Sequence, residues 1–494
     1  MIINSYFCAK FQSMRCFFPI LFCSILFFAS CKQENTISDD PSHKLSFSAD
    51  TVMFDTVFTS LGSSTHKLVV YNPYAQDLNI SEMRLMGGEQ SRFKINFDGD
   101  PGEVFLDKTI PANDSLYLFL NVTIDPDDTN TPFVVEDSLL FLTNGNRQMI
   151  KLVAWGQNAR YIVGDQTVSV LRYPYTIVAD SLETTHWTNE LPYVIYGYAL
   201  INSYGTLHIH EGTHIYVHDK SGIVSWSEGQ LIIEGSAEQP VIIEGDRLEP
   251  YFQNQPGQWD RIWLQECRPG ADHLIDHAII RNGYIGIQAE SFLKATQAAL
   301  RINNSIIENH TGIGLYALYY AIEANNMVID NCGQYGFAVQ IGGDYLFRHI
   351  TIGNHWWAST RTTPSLLLSN YYDDEEDVRH EFPLYFEMGN SIVYGSATEE
   401  FTTDLSGVEA DTIYLFDHCL MKTGKGNNSS SCFSNCLFNQ DPLFVNYNLF
   451  DLHLSDALSP AVGSGSPVIS AYVPYDIEGK NRTGTPDMGA YQFK

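Results

Sequence analysis

Asn304-Ser305-Ile306-Ile307, Asn326-Met327-Val328-Ile329 and His349-Ile350-Thr351-Ile352 state one short phrase three times: an Asn or His, one variable residue, then two mostly aliphatic positions. The phrase also stands at His277-Ala278-Ile279-Ile280, Asn390-Ser391-Ile392-Val393, His418-Cys419-Leu420-Met421 and Asn435-Cys436-Leu437-Phe438. Successive anchors are offset by 27, 22, 23, 41, 28 and 17 residues. Several of these fall in the period of a solenoid, and 41 marks an insertion near 355–386. Asn282, Asn309, Asn331 and Asn354 follow the first four anchors, with Gly283, Gly312 and Gly333 close by. A chain that bends sharply needs residues tolerant of left-handed backbone, which Asn and Gly supply at low cost. One coil cannot bury its own Ile and Val. Stacking coils at about 4.8 Å buries them and pairs the backbone of each with the next.

Upstream, short β-branched runs closed by Gly extend the array: Gly205-Thr206-Leu207-His208-Ile209, Glu211-Gly212-Thr213-His214-Ile215, Gly229-Gln230-Leu231-Ile232-Ile233 and Pro240-Val241-Ile242-Ile243-Glu244-Gly245. Residues 44–160 read differently. Ser115-Leu116-Tyr117-Leu118-Phe119-Leu120-Asn121-Val122 and Asp137-Ser138-Leu139-Leu140-Phe141-Leu142-Thr143 alternate in period two, and Asn72-Pro73, Gly87-Gly88 and Asn144-Gly145-Asn146 punctuate them. Such spacing predicts a β-sandwich. The fold class expected is all-β: a sandwich over 44–160, then a β-helix over 161–440, with 441–494 as a last coil and cap.

Composition agrees. The 494 residues are 44% hydrophobic and 17% charged, with 58 Asp and Glu against 28 Lys and Arg, a net of −30. A surface this acidic repels phosphate backbones and excludes nucleic acid as a partner. Phosphate loops, Ser-nucleophile motifs and zinc signatures are absent from the sequence.

These patterns resemble known families. The order Phe54-Asp55-Thr56-Val57, Val70-Tyr71-Asn72, Phe93-Lys94-Ile95, Ile110-Pro111-Ala112-Asn113-Asp114-Ser115 and Val153-Ala154-Trp155-Gly156 resembles immunoglobulin-like domains of the abnormal-spindle type, which implies a spacer or protein-binding module. Residues 200–440 look like the right-handed parallel β-helix of the pectate-lyase superfamily. Pro192-Tyr193-Val194-Ile195 through Gly257-Gln258-Trp259, and the ending Asp476-Ile477-Glu478-Gly479 with Pro486-Asp487-Met488-Gly489-Ala490-Tyr491, resemble Bacteroidetes surface β-helix lipoproteins. In those proteins the ending closes the last coil.

Residues 1–30 hold Lys10 and Arg15, no acid, and an apolar run from Phe17 to Ala29. The run has signal-peptide length. Phe28-Ala29-Ser30-Cys31 resembles a lipobox, which implies that Cys31 is lipidated and 31–43 is a tether. The alternative is an ordinary cleaved signal. A lipid-anchored, surface-exposed protein of the outer membrane is the localisation expected. Five cysteines lie beyond Cys31: Cys267, Cys332, Cys419, Cys432 and Cys436. Their odd number prevents complete internal pairing, and Cys432 with Cys436 is the disulfide candidate.

Chemistry is sparse. Trp356, Trp357, Tyr371 and Tyr372 near the insertion are candidates for a glycan platform, since sugar rings stack on aromatic faces; packing against the coil is the alternative. Asp373, Asp374 and Glu376 are oxygen donors suited to Ca²⁺, or else a solvated loop. No other cofactor is expected. His208 and His210 share a strand face, with His214 and His218 following, a spacing open to metal or to plain outward polarity. Asp276-His277 and Asp417-His418 resemble a short pectate-lyase sequence, which implies Asp276 as a Ca²⁺ ligand and Arg281 or Arg348 as base, with His277 between. Asp-Ser/Thr-aliphatic triplets, such as Asp114-Ser115-Leu116 and Asp180-Ser181-Leu182, resemble the O-glycosylation sites of exported Bacteroidetes proteins. The function expected is a lipid-anchored binding or scaffold protein that contacts glycans or surface proteins. The alternative is a polysaccharide lyase.

Overall fold

A computed structural model describes residues 36–58, 63, 65–125, 133–171, 173–291, 299–407, 412–424 and 430–493. Cys31 and the rest of the expected signal lie outside the described residues. The chain divides into two compact units, the second beginning in the main at Trp155.

The first unit is antiparallel. Two five-stranded sheets form it, one ordered around Ser115–Val122 and the other around Phe133–Thr143. The sheets face each other through ring contacts, Phe47 on Phe141 and Phe54 on Phe93. Alternation in Ser115–Val122 sends Leu118, Leu120 and Val122 into the core and Tyr117, Phe119 and Asn121 outward. Asn72 is buried. Its amide donates to the carbonyls of Gln76, Ile110 and Pro111 and locks the turn after Tyr71.

The second unit is a parallel β-helix with three faces. The first face holds nine strands, from Tyr175–Ala179 to Phe401–Asp404. The second runs from Thr184–Trp187 to Phe433–Ser434, and the third from Arg160–Val163 to Leu437–Phe438. Leu300–His310 and Tyr320–Cys332 cross the corner between second and third faces as single strands and serve both. The recurrent Asn or His of the repeat phrase is this corner: His277, Asn304, Asn326, His349, Asn390, His418 and Asn435 all adopt left-handed backbone, φ 47° to 56°. Asn282, Asn309 and Asn331 do the same at the next corner. Asn354 does not. Its side-chain Oδ1 accepts the Cys332 amide instead (3.0 Å). Side-chain amides also ladder between rungs, Asn326 to Asn304 (2.9 Å), Asn331 to Asn309 and Asn309 to Asn282 (both 2.7 Å).

Register stacks like residues along the axis. Ile215, Ile243, Ile280, Ile307, Ile329 and Ile352 form one inward column of the third face, each fully buried. On the second face Ile209, Ile233, Ile275 and Ile302 give way to Phe347, Met388, Phe416 and Phe433. Cys419 and Cys436 are inward stacking neighbours on successive rungs, and the Cys436 thiol interacts with Cys419. The expected Cys432–Cys436 disulfide is therefore replaced by a column of buried thiols, because neighbouring rungs rather than one turn bring these sulfurs together.

The last fifty residues lie along the third face. Leu452, Ile477, Ala490 and Tyr491 pack on Val328, and Leu454, Ala461 and Met488 on Ile392 and Leu420. The Ala490 amide donates to Thr351 Oγ1 (2.9 Å), the Gly489 amide to the Asn390 carbonyl (2.7 Å), and Arg482 to Asn326 Oδ1 (3.0 Å). Gly489 has φ 97°, and a Cβ there would stand 2.7 Å from Thr351 Oγ1. On the other partner, a Cβ on Gly353 would meet Leu452 at 2.5 Å.

Candidate functional site

The expected aromatic platform is not assembled. Residues 355–386 are not one insertion, because Leu366–Ser369 inside them is a regular first-face strand. It separates the two aromatic pairs. Trp356 and Trp357 sit at its leading corner, where Trp356 is 9% exposed, packs over Gly333 and donates to Ser359 Oγ (2.8 Å). Trp357 is exposed. Tyr371 and Tyr372 stand beyond its other end, in the antiparallel hairpin of Tyr371–Asp373 and Arg379–Glu381. Arg379 covers the Tyr371 ring at 3.9 Å, and Tyr372 stacks on His380.

The acids of that hairpin are engaged in pairs. Asp373 bridges to Arg379 (2.9 Å) and Asp374 to His380 (2.6 Å), so each carboxyl is held below its ordinary range, first by that side-chain hydrogen bond. Asp374 also accepts the Glu376 amide. Cross-strand pairing directs these carboxylates to separate partners rather than toward one centre.

The Asp-His pairs are corner devices. His277 Nδ1 lies 2.8 Å from Asp276 Oδ1 with His277 in left-handed backbone, and His418 repeats this with Asp417. Arg281 is on a different face from Asp276. It bridges to Glu244 (2.7 Å) and approaches Glu308 (4.0 Å), which leaves it no freedom as a base. Arg348 pairs with Glu323 (2.8 Å). His214 and His218 contact Glu244 and Asp246 (both 2.7 Å).

What the stacking does assemble is a cleft of about 480 Å³ on the first face. Five aromatic residues line it: Tyr173, Tyr198, Trp263 and Tyr284, with the buried Trp259 beneath. Tyr198 and Trp263 project from first-face strands, and the long connection 246–261 delivers Gly257, Asp260 and Arg261 to the same rim. Asp219 and Lys220 complete the polar lining. The charges are organised. Tyr198 donates to Asp260 Oδ2, Arg261 Nη2 lies 2.9 Å from Asp260 Oδ1, and Arg261 Nη1 donates to Gln288. Burial, and then the charge of Asp260, push the Tyr198 phenol well up. It therefore stays a donor at any physiological pH. The Arg261 guanidinium lies 5.8 Å from the Tyr284 ring centre, and Tyr284 is 44% exposed at the mouth. Apolar rings beside fixed donors and acceptors suit a ligand with both apolar faces and hydroxyls.

No protein-family model matches the sequence, and no curated protein matches it. Among solved structures, the catalytic unit of a thermostable GH87 α-1,3-glucanase from Streptomyces thermodiastaticus aligns over 75% of each chain at 11% identity, with a TM-score of 0.27. The ASH/PapD-like domain of human CEP192 aligns over 24% of this chain and 89% of its own at 11% identity, TM-score 0.17. A family 123 glycoside hydrolase from Clostridium perfringens aligns over 24% of this chain and 30% of its own at 10% identity, TM-score 0.17. At these scores the likenesses assign neither a family nor an activity.

Proposed function

We propose that the protein is a lipid-anchored cell-envelope protein that binds glycans in the first-face cleft, with the β-sandwich as a spacer. The observation that carries this reading is the convergence of Tyr173, Tyr198, Trp263 and Tyr284 on one cleft beside Asp219, Lys220, Asp260 and Arg261. Sugar C–H faces stack on such rings while hydroxyls meet the charged rim. Two of the rings stand on stacked strands, so little order is lost on binding. The anchor rests on the signal-like residues 1–30 and on Cys31.

Each stacked ring contributes about 1 kcal/mol. Removing Trp263 and Tyr284 together then weakens binding by roughly 10- to 30-fold. A glycan array followed by affinity electrophoresis tests this on the mature chain. Retention by the parent, its loss in Trp263→Ala/Tyr284→Ala, and unchanged retention in Trp357→Ala are expected. No retained glycan, or equal retention by the double variant, would end the proposal. Binding is favoured over lyase chemistry because Arg281 and Arg348, the bases nominated by sequence, are each held by carboxylates. Incubation with polyuronates, with and without Ca²⁺, is expected to give no absorbance from new double bonds.

A further inference from the structure

The second face carries a cluster that the cleft does not use. His186 and His208 are register partners on adjacent rungs, and His210 lies two residues on, on the same side of its strand. Trp187, Leu207 and Ile209 alternate inward, so the three imidazoles project outward. Their donor nitrogens all lie within 4.8 Å of one another, with His186 Nδ1 and His210 Nε2 2.8 Å apart. Glu234, the register partner of His210 on the next rung, brings Oε2 to 2.5 Å from His208 Nε2.

Two rows of the sheet thus gather three imidazoles within reach of one ion, with the Glu234 carboxylate against the Nε2 of His208. All four stand on strands that the stacked backbone holds in place. Calcium and magnesium take oxygen donors, whereas borderline d-block cations take imidazole nitrogen together with carboxylate oxygen. Zn²⁺ in particular accepts four such ligands in tetrahedral geometry. We propose that His186, His208 and His210 form a binding site for a divalent transition-metal cation of the Zn²⁺ class, with water as the fourth ligand and Glu234 orienting the His208 ring.

The test uses the untagged mature chain stripped with a chelator. Calorimetric titration with ZnCl₂, and elemental analysis after dialysis, are expected to give one zinc per chain. Co²⁺ in its place is expected to show the strong visible absorption of a four-coordinate ion. His186→Ala/His210→Ala is expected to weaken Zn²⁺ binding by ~10- to 100-fold or more. His214→Ala, whose ring is engaged by Glu244, is expected to leave binding unchanged. Circular dichroism of the metal-free double variant checks that the coil persists. Glu234→Gln, which preserves side-chain volume, provides a second weakening variant that leaves the imidazoles in place. Zinc retained by the parent no better than by the double variant, or a Co²⁺ spectrum unchanged in both variants, overturns the proposal.

Discussion

Glu308 occupies a column of the third face that also holds Tyr216, Glu244, Arg281 and Asp330 on successive rungs. Burial pushes its carboxyl up to about 7; the Glu244 charge adds to this and Arg281 opposes it. Asp330, next in the column, is raised well above its ordinary range by burial and by Glu308. Tyr491 stands close enough to feel both carboxyls. A carboxyl that titrates higher when folded keeps a proton that the unfolded chain has lost. Its contribution to stability is complete below about 4.5, declines as pH rises, and is gone above about 7, a change of up to about 3 kcal/mol. Glu308→Gln is therefore expected to flatten the fall in melting temperature between about pH 5 and pH 8. Parallel melting profiles for parent and variant would refute this assignment.

At the scale of elements, the corner between third and first faces depends on one ion pair. Arg361 and Glu400 are 2.6 Å apart with side chains 2% and 0% exposed. Glu400 also accepts from the Ser365 and Ala397 amides, so it ties 361–366 to 396–400. Removing one partner of such a pair strands the other charge. Glu400→Gln is expected to cost about 3–5 kcal/mol in denaturant unfolding, and Arg361→Met/Glu400→Leu less. The corners themselves were legible in the sequence because left-handed backbone restricts the residue, and Asn304 or His349 advertises that restriction. The aliphatic pair was legible as apolar, but not why it comes as a pair. Ile329 points inward, whereas Val328 points outward and is covered by Leu452, Ile477, Ala490 and Tyr491, the nearest of them some 120 residues later. First-face strands carry no such phrase, so nothing in the sequence marks Leu366–Ser369 as a rung or separates the aromatics that flank it. Tyr198, Trp263 and Tyr284 were invisible as a set because register, not spacing in the chain, joins them. His186 was missed likewise, although its offset of one rung from His208 is a signal that a coil-by-coil alignment uses.

For the molecule as a whole, the tail covers the outer side of the third face from about Ile306 to Leu437, so that these parallel strands are buried on both sides. Truncation after residue 440 is expected to leave the inward columns intact but uncover Val328, Ile392 and Leu420. Strong binding of a hydrophobic dye with retained β circular dichroism is the expected outcome, together with concentration-dependent aggregation. A truncated chain as soluble and dye-free as the parent would show that the tail is dispensable as a cover. The tail also ties sequence-distant positions: Asn326 bonds Tyr475 and Arg482 across 149 and 156 residues, while rung-to-rung contacts such as Asn326 to Asn304 span 22.

That difference has a temporal meaning. Rungs can wind up one after another along the chain, but the strip that seals their flank follows all of them in sequence. The solenoid must wait, partly open and sticky along one side, until the segment after residue 440 docks, which makes the sealing of that flank, and not the growth of the spiral, the step that renders it safe from its own copies.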